Sequence, residues 1–323
     1  MPRLVISNQH NPYLNIAVEN YLLSQPSDGD ITFYLWQNRR TVVVGQNQNP
    51  FAECDVALLE REGGYVMRRK TGGGAVFHDL GNLNFSFIVP YDLYDLQRQF
   101  SVLQRAVADY GLETEVSGRN DVLCQGRKFS GNAFSKGTHQ RLHHGTILIR
   151  TDVADLQRYL RVRPAKLQKH GVASVQSRVV NLSELNPDIT AQDIIPHLVE
   201  AFAKTYGESI ETIPFDEFAK YPEVKTLDDM FSSEEWKYGS WKHFTAQRSA
   251  QFEWGGVDLA IETDEPSATI THVDIATDSL DTTVIDCVRH LLTGASTITP
   301  PTLPADLTPN QTTVVRDIFT LLY

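Results

Sequence analysis

The stretch from Arg68 to Asn82, which reads RRKTGGGAVFHDLGN, constrains the fold more than any other part of the chain. Three consecutive glycines cost backbone entropy, so a folded protein keeps them where the chain takes unusual angles or approaches something closely. Their N–H groups can form a concave nest for an anion, and Arg68 and Arg69 supply the forked donors that suit phosphate. The stretch alone leaves two interpretations open: a phosphate-binding loop, or a tight turn between strands beside a solvated basic run.

The overall charge makes this basic run a local exception. The net charge is −11 at pH 7, which argues against nonspecific nucleic-acid binding because that requires clustered Lys and Arg. The N-terminus lacks the apolar segment of a signal peptide, and no run approaches the roughly 20 apolar residues that span a bilayer. Cys54, Cys124 and Cys287 have no CxxC or metal-ligand spacing, which indicates a reducing compartment. We therefore expect a cytoplasmic protein with no nucleic-acid or membrane partner.

Hydrophobic periodicity predicts alternating strands and helices along most of the chain. The predicted strands lie at 4–6, 31–36, 41–44, 65–69, 84–89 and 141–149, with the second and third forming a hairpin. One predicted helix begins at Pro12, and the others cover 51–60, 94–110, 152–160, 193–206 and 283–292. The segment 171–185 is interpreted as a loop. After about Ala246 the pattern changes to two antiparallel strands and a helix, so we expect one domain at 1–245 and a second at 246–323.

A second concentration of unusual residues is SGRNDVLCQGRKFSGNAF, at 117–134. The Gln-Gly pair at 125–126 predicts a hairpin turn, and Lys128 follows it on the returning strand. A lysine in a strand usually faces solvent. Here it lies among Asn120, Asp121 and further polar residues, more than an edge strand needs.

The usual phosphate motifs are absent: there is no GxxxxGK[ST], no complete GxGxxG and no GxSxG nucleophile elbow. What remains is the glycine loop, with Arg68, Arg69 and His78 beside it, and the polar strand that carries Lys128. If both face one cleft, they suit the joining of a carboxylate to a nucleotide phosphate, because cations must neutralise two anions as they meet.

Six segments occur in the order seen in bacterial lipoate–protein ligase A, and the chain resembles that family over about residues 4–262. They are PYLNIAVEN, TVVVGQNQNP, RRKTGGGAVFHDLGN, SGRNDVLCQGRKFSGNAF, HHGTILI and SVQSRVVNL. The resemblance implies an α+β catalytic domain with the biotin/lipoate ligase fold, a mixed sheet with flanking helices similar to class II aminoacyl-tRNA synthetases. It also implies a small α+β accessory domain that moves between two half-reactions.

The implied reaction joins lipoate and Mg-ATP into lipoyl-AMP and pyrophosphate. A lysine of an apo lipoyl domain, on an E2 subunit of a 2-oxoacid dehydrogenase or on the glycine cleavage H protein, then attacks to form an amide. By resemblance, Lys128 is catalytic and contacts both ATP and lipoate.

The other implied site residues fall into three groups. The ATP-binding positions are Arg69, Gly74, Ala75, Val76 and Phe77. The lipoate-binding positions are Gly73, His78 and His144. Further pocket candidates are Arg68, Asn120 and Asp121; no metal site is assigned, and Asp121 is the one candidate ligand for Mg²⁺. The chain departs from the family at Lys70-Thr71, where a pair such as Ser-Ser or Ser-Thr is expected.

Two other functions compete with ligation. An octanoyl or lipoyl transferase shares this fold and moves an acyl group between carrier proteins without ATP, and its amidotransferase branch needs a thiolate in the pocket. None of the three cysteines is at the expected position, so each is interpreted as a small buried hydrophobe. A non-catalytic acyl or nucleotide binder would have little need for both Lys128 and the glycine loop.

Overall fold

The computed structural model describes residues 1–27, 29–118, 120–161, 179–239, 246–264 and 267–323. The strands in this part of the chain are β1 Arg3–Ile6, β2 Thr32–Trp36, β3 Thr41–Val44, β4 Tyr65–Arg68, β5 Val76–His78, β6 Asn82–Pro90, β7 Thr114–Ser117, β8 Asp121–Cys124, β9 Arg127–Lys136, β10 Gln140–Leu148, β11 Glu211–Pro214, β12 Ala246–Phe252, β13 Gly255–Asp264 and β14 Thr269–Thr277. The α-helices are α1 Pro12–Ser24, α2 Pro50–Glu53, α3 Val56–Arg61, α4 Leu96–Ala108, α5 Val153–Tyr159, α6 Leu182–Leu185, α7 Ala191–Tyr206, α8 Phe215–Phe218, α9 Pro222–Ser232, α10 Glu234–Tyr238, α11 Thr283–Leu292 and α12 Pro309–Phe319. None of these helices is long and apolar enough to cross a membrane.

The strands form three sheets. A large mixed sheet has the order β11-β1-β2-β6-β10-β9-β8-β7, and a small sheet has the order β4-β3-β5. The third sheet, β12-β13-β14, is antiparallel and comes from the end of the chain. This arrangement confirms the expected α+β class and the mixed sheet with flanking helices.

Side chains that alternate along β2 enter two different cores. Phe33 and Leu35 pack on the face of the large sheet that α4 and α7 cover. Tyr34 and Trp36 pack on the opposite face, against α1, α8, α9 and the small sheet. Since successive residues of a strand point to opposite faces, a strand buried on both sides reads as a continuous apolar run. The space between the large and small sheets is where the candidate site lies.

The predicted hairpin between residues 31–36 and 41–44 is wrong. β2 pairs with β1 and β6 in the large sheet, whereas β3 pairs with β4 and β5 in the small one. Every residue of both strands is buried, so each is covered on both faces and neither needs the other as an edge partner. The connection instead carries the chain from one sheet to the other, with Arg40 at a φ of +24°.

Other predictions were met in part. The hairpin turn at 125–126 is confirmed, with both residues at positive φ and β8 paired to β9. The single helix at 51–60 is wrong, because the chain breaks after α2 and Asp55 caps a separate α3. The strands β5, β7, β11 and β12 and the helix α12 were not predicted. The loop at 171–185 contains the short helix α6, and its residues up to 178 lie outside the described part of the chain.

The residues from 246 onward have a core of their own. Its members come from β13, β14, α11 and α12, and include Leu259, Ile275 and Ile285. We propose that the boundary at 245/246 separates a catalytic domain from a C-terminal accessory domain, because this core includes none of the described residues before Ala246.

Candidate active site

A cavity of about 200 Å³ lies between the large sheet and the small sheet. Of the residues that the sequence singled out, those lining it are Arg69, Gly73, Gly74, Ala75, Val76, His78, Asn120, Lys128 and His144. Apolar walls come from Ile16, Trp36, Val43 and Met67, which sequence reasoning did not assign to a pocket. Phe77 is absent from the lining because alternation along β5 turns it to the far side of the small sheet, against Tyr159.

Arg69 holds the glycine loop in shape. Its Nη2 donates to the carbonyl oxygens of Gly72 at 2.7 Å and Gly74 at 2.9 Å, and its Nη1 donates to the Val43 carbonyl. Burial lowers the pKa of the Arg69 guanidinium to about 10, and Glu19 partly opposes this shift. The group is therefore a fixed cation at neutral pH, and Gly73 completes the loop at a φ of +94°.

Arg68 occupies a different place. Its guanidinium donates to five backbone carbonyls, at 45, 46, 48, 236 and 237, over distances of 2.6 to 3.2 Å. It does not line the cavity. Burial lowers its pKa to about 10, so the group remains charged and braces the turn after β3 against α10.

Lys128 reaches the cavity across a glycine. A Cβ added at Gly131 would meet Nζ of Lys128 at 2.8 Å and Cε at 2.9 Å, so the lysine side chain lies directly over that residue. Its ammonium forms an ion pair with Asp121 at 2.7 Å, and both side chains are about one third exposed. An ion pair as exposed as this one contributes little stability, so Lys128 can exchange Asp121 for a bound anion at little cost.

Among the described residues, two buried donors that line the cavity have no hydrogen-bond partner. His78 accepts from Asn38 Nδ2 at Nδ1 over 3.3 Å, which places its proton on Nε2, and no described group accepts from Nε2. The Oδ1 of Asn84 accepts from Asn82 Nδ2 at 2.9 Å, and its own Nδ2 likewise has no acceptor in the described part of the chain. Burial, with Arg69 and His144 nearby, lowers the pKa of His78 to about 3, so the ring is neutral. A ligand with acceptor atoms would satisfy both donors.

The comparisons with known proteins agree with this geometry. The family model described as the lipoyl protein ligase A/B catalytic domain matches residues 11–203. A curated lipoate-protein ligase A from Psychrobacter cryohalolentis is 35% identical over 297 residues, which is 90% of this chain and 87% of the relative. The chain belongs to the lipoate–protein ligase A family. It is therefore an enzyme, a ligase.

Solved ligases share its fold. The crystal structure of P. falciparum LipL1 in complex with lipoate superposes with a TM-score of 0.84 at 27% identity, over 99% of this chain and all of that one. A bi-partite lipoate protein ligase from Thermoplasma acidophilum, described with its E2 lipoyl domain, gives 0.61 at 26% identity, over 76% and 99% of the two chains. Lipoate-protein ligase A bound with ATP gives 0.59 at 25% identity, over 74% and 98%.

Lys70 and Thr71, the pair at which the sequence departs from the pattern expected for the family, lie in two different environments. The Lys70 ammonium lies over the rings of Phe231 at 5.4 Å and Trp236 at 5.9 Å. The Thr71 hydroxyl is buried, and it joins Arg69 Nε at 3.0 Å to His144 Nε2 at 2.9 Å. Position 71 therefore keeps a hydroxyl, the group that the expected serine or threonine would supply.

The C-terminal unit touches the glycine loop directly. The Gly73 amide donates to the Ser279 carbonyl, and the Thr277 amide donates to the Asn47 carbonyl. A Cβ at Gly72 would meet the Ser279 oxygen at 2.2 Å. Beside this contact the cavity of the ligase adjoins an outer cleft of about 1850 Å³, to which Gly73, Gly74 and Asn120 also contribute.

Proposed function

We propose that this ligase activates lipoate with ATP and transfers the lipoyl group to a lysine of a lipoyl domain. The observation that carries the proposal is that Lys128 and the glycine loop line one cavity together with the apolar side chains of Ile16, Trp36, Val43 and Met67. The family membership supports it, as do the solved relatives described as bound to lipoate and to ATP.

The proposed first step joins two anions. A carboxylate oxygen of lipoate attacks the α-phosphorus of ATP, the bond from that phosphorus to the β-phosphate oxygen breaks, and pyrophosphate leaves. Lys128 stands where it can bind the carboxylate and the α-phosphate together, so its charge offsets the repulsion as the bond forms. Arg69 keeps Gly72 and Gly74 in place. The loop N–H groups other than that of Gly73, which donates to Ser279, hold phosphate oxygens in this proposal.

In the second step, the amine of the target lysine attacks the acyl carbon of lipoyl-AMP. The new C–N bond forms, the bond from that carbon to the phosphate oxygen breaks, the amine loses a proton and AMP leaves. Ile16, Trp36, Val43 and Met67 offer the apolar surface that the carbon chain of lipoate requires.

Magnesium fits this site as a companion of the phosphates. Among the described residues, no group of three or more His, Cys, Asp or Glu side chains is placed to hold a metal ion. Mg²⁺ often binds through one or two carboxylates together with substrate phosphates and water, and it then offsets phosphate charge. Asp121, beside Lys128, is the carboxylate that we propose would serve.

We further propose apo lipoyl domains of E2 subunits, and the glycine cleavage H protein, as acceptors, in a cytoplasmic setting. One solved relative is described together with its E2 lipoyl domain. The three cysteines are free thiols, which suits a reducing compartment.

A cysteine-dependent transferase is the second candidate function, but the positions and the pKa values of the three cysteines are evidence against it. None of the three lines the cavity. Burial raises the pKa of Cys54 to about 12 and also raises the pKa of Cys124 and Cys287. A nucleophilic thiolate needs the opposite environment.

The deciding experiment measures AMP release from lipoate, ATP and an apo lipoyl domain. We expect AMP and lipoylated domain in equal amounts, with no product when ATP is omitted. A control domain with its acceptor lysine replaced by arginine should accept nothing. Acyl transfer from an octanoyl carrier protein without nucleotide would instead establish the transferase.

A further inference from the structure

A buried carboxylate outside the predicted site residues lies at the centre of a hydrogen-bond chain that reaches the glycine loop. Glu19, on α1, is 1% exposed. Its Oε2 accepts from the Ser86 hydroxyl at 2.5 Å and from His144 Nδ1 at 2.8 Å. Glu19 falls within the PYLNIAVEN segment, but the sequence assigned it no role, and it does not line the cavity.

This hydrogen-bond chain ends at each side in a group that can only donate a hydrogen bond. Trp36 Nε1 donates to the Ser86 hydroxyl at 3.0 Å, and Arg69 Nε donates to the Thr71 hydroxyl at 3.0 Å. An indole N–H and a guanidinium have no acceptor. An ionised carboxylate can only accept, so the Ser86 hydroxyl and His144 Nδ1 both donate to Glu19. In a neutral His144 ring, Nε2 then accepts from the Thr71 hydroxyl.

This order assigns the tautomer of His144. Its Nε2 accepts from Thr71, and its Nδ1 carries the proton that Glu19 accepts. His78, in the same cavity, has the opposite arrangement, since its Nδ1 accepts from Asn38. Because residue 19 is a carboxylate, Ser86 and His144 can both donate to its Oε2. A buried carboxylate without such donors would destabilise the fold.

We propose that Glu19 is a positioning residue for nucleotide binding. It fixes the ring of His144, which fixes the Thr71 hydroxyl, which in turn orients the guanidinium of Arg69. Arg69 then holds the carbonyls of Gly72 and Gly74, and with them the direction of the loop N–H groups. The inference rests on the proposed function, in which this loop binds ATP.

The first test measures ATP affinity by titration calorimetry, without turnover. Glu19→Leu removes the shared acceptor, and we expect ATP to bind about tenfold more weakly, as for loss of one net hydrogen bond. Glu19→Gln keeps an oxygen that can accept from both neighbours, so it should stay within about threefold of the parent protein. Asn20→Ala is the matched control, because Asn20 is the next residue on α1 and its amide donates to the Ile16 carbonyl of the same helix.

A double-mutant cycle distinguishes positioning from a general role in the core. If Glu19 acts through Thr71, then Thr71→Val weakens ATP binding, and adding Glu19→Leu to Thr71→Val weakens it no further. Fully additive losses would overturn the proposal, as would parental affinity in folded Glu19→Leu. If Glu19→Leu does not fold, Glu19→Ala, which also removes the shared acceptor, takes its place in the cycle, and additivity there has the same meaning.

A spectroscopic readout separates failure of this inference from failure of the proposed function. Nitrogen-15 spectra of the histidine rings should show His144 with its proton on Nδ1, assigned through His144→Gln, and His78 with its proton on Nε2. A parent protein that binds no ATP would refute the nucleotide function. A His144 proton on Nε2 in the parent would refute the chain through Glu19 whether or not ATP binds.

Discussion

The amide nitrogen of Gly73 lies 3.0 Å from the carbonyl oxygen of Ser279 and donates a hydrogen bond to it. One donor of the glycine loop is thus directed at the C-terminal unit. Gly72 packs on the same segment, where even a methyl group would overlap Ser279 and Leu280. The glycines therefore serve a close approach between two parts of the chain as well as the shape of the loop.

Gly73→Val should weaken ATP binding by at least about tenfold, because a β-branched residue resists a φ of +94° and its Cβ would lie 3.0 Å from Arg69 Nη2. Nucleotide titration measures the effect. Gly111→Val is the matched control, since Gly111 has a φ of +74° and open space around it. Unchanged affinity in Gly73→Val would assign the glycines to a turn without a role in binding.

Lys128→Ala should lower adenylate formation by about 100-fold or more, the usual effect of removing one group that stabilises developing charge. The fold should persist, because the side chain is one third exposed and its ion pair with Asp121 lies at the surface. Lipoate-dependent pyrophosphate release checks the rate, and Arg127→Ala, one residue earlier on β9, is the control. Near-normal turnover in Lys128→Ala would remove the lysine from the centre of the mechanism.

Arg68→Lys should lower the free energy of unfolding by about 3 kcal/mol, since an ammonium cannot replace a fork that donates to five carbonyls. Urea denaturation measures this loss, with Arg61→Lys as a surface control. The folded fraction of Arg68→Lys should bind ATP normally. A selective loss of ATP affinity without loss of stability would place Arg68 in the site.

Acid should destabilise the protein through His78. Its pKa falls from 6.5 to about 3 on folding, so between these values the unfolded state binds the proton and the native state does not. Stability is therefore complete above about pH 6.5 and declines below it, by up to about 1.4 kcal/mol per pH unit.

Urea denaturation between pH 7.5 and 5 tests this dependence, in a range where few carboxylates titrate. His78→Gln should reduce the slope, and the surface variant His10→Gln is the control. Part of the slope should remain in His78→Gln, because burial also lowers the pKa of His143. An identical slope in His78→Gln and the parent would contradict the assignment.

Local patterns predicted most of the elements because their signals are local. The turn at 125–126 and the helix that begins at Pro12 depend on residues close in sequence. Strand pairing depends on distant partners. The sequence pattern of β2 and β3 is therefore the same whether the two strands form a hairpin or belong to different sheets, as they do here.

The site residues also divide into those with a local sequence signal and those that depend on distant partners. Arg68 and Arg69 are adjacent and chemically alike, and only the alternation along β4 sends Arg69 toward the cavity with Met67 and Arg68 away from it. Glu19 lies in a segment that supported the family resemblance, yet no role could be assigned to it, because its partner His144 lies 125 residues away in the sequence. An apolar helix that carries one acidic residue reads as an ordinary partly exposed helix.

The sizes of the two adjoining spaces have a kinetic consequence. The cavity holds about 200 Å³ and the cleft beside it about 1850 Å³, and they share the glycine loop as a common wall. A protein acceptor that docked in the cleft would cover this shared wall. We then expect an ordered reaction, with the small substrates binding first and the protein acceptor last, and an excess of acceptor should slow the reaction by trapping the empty enzyme.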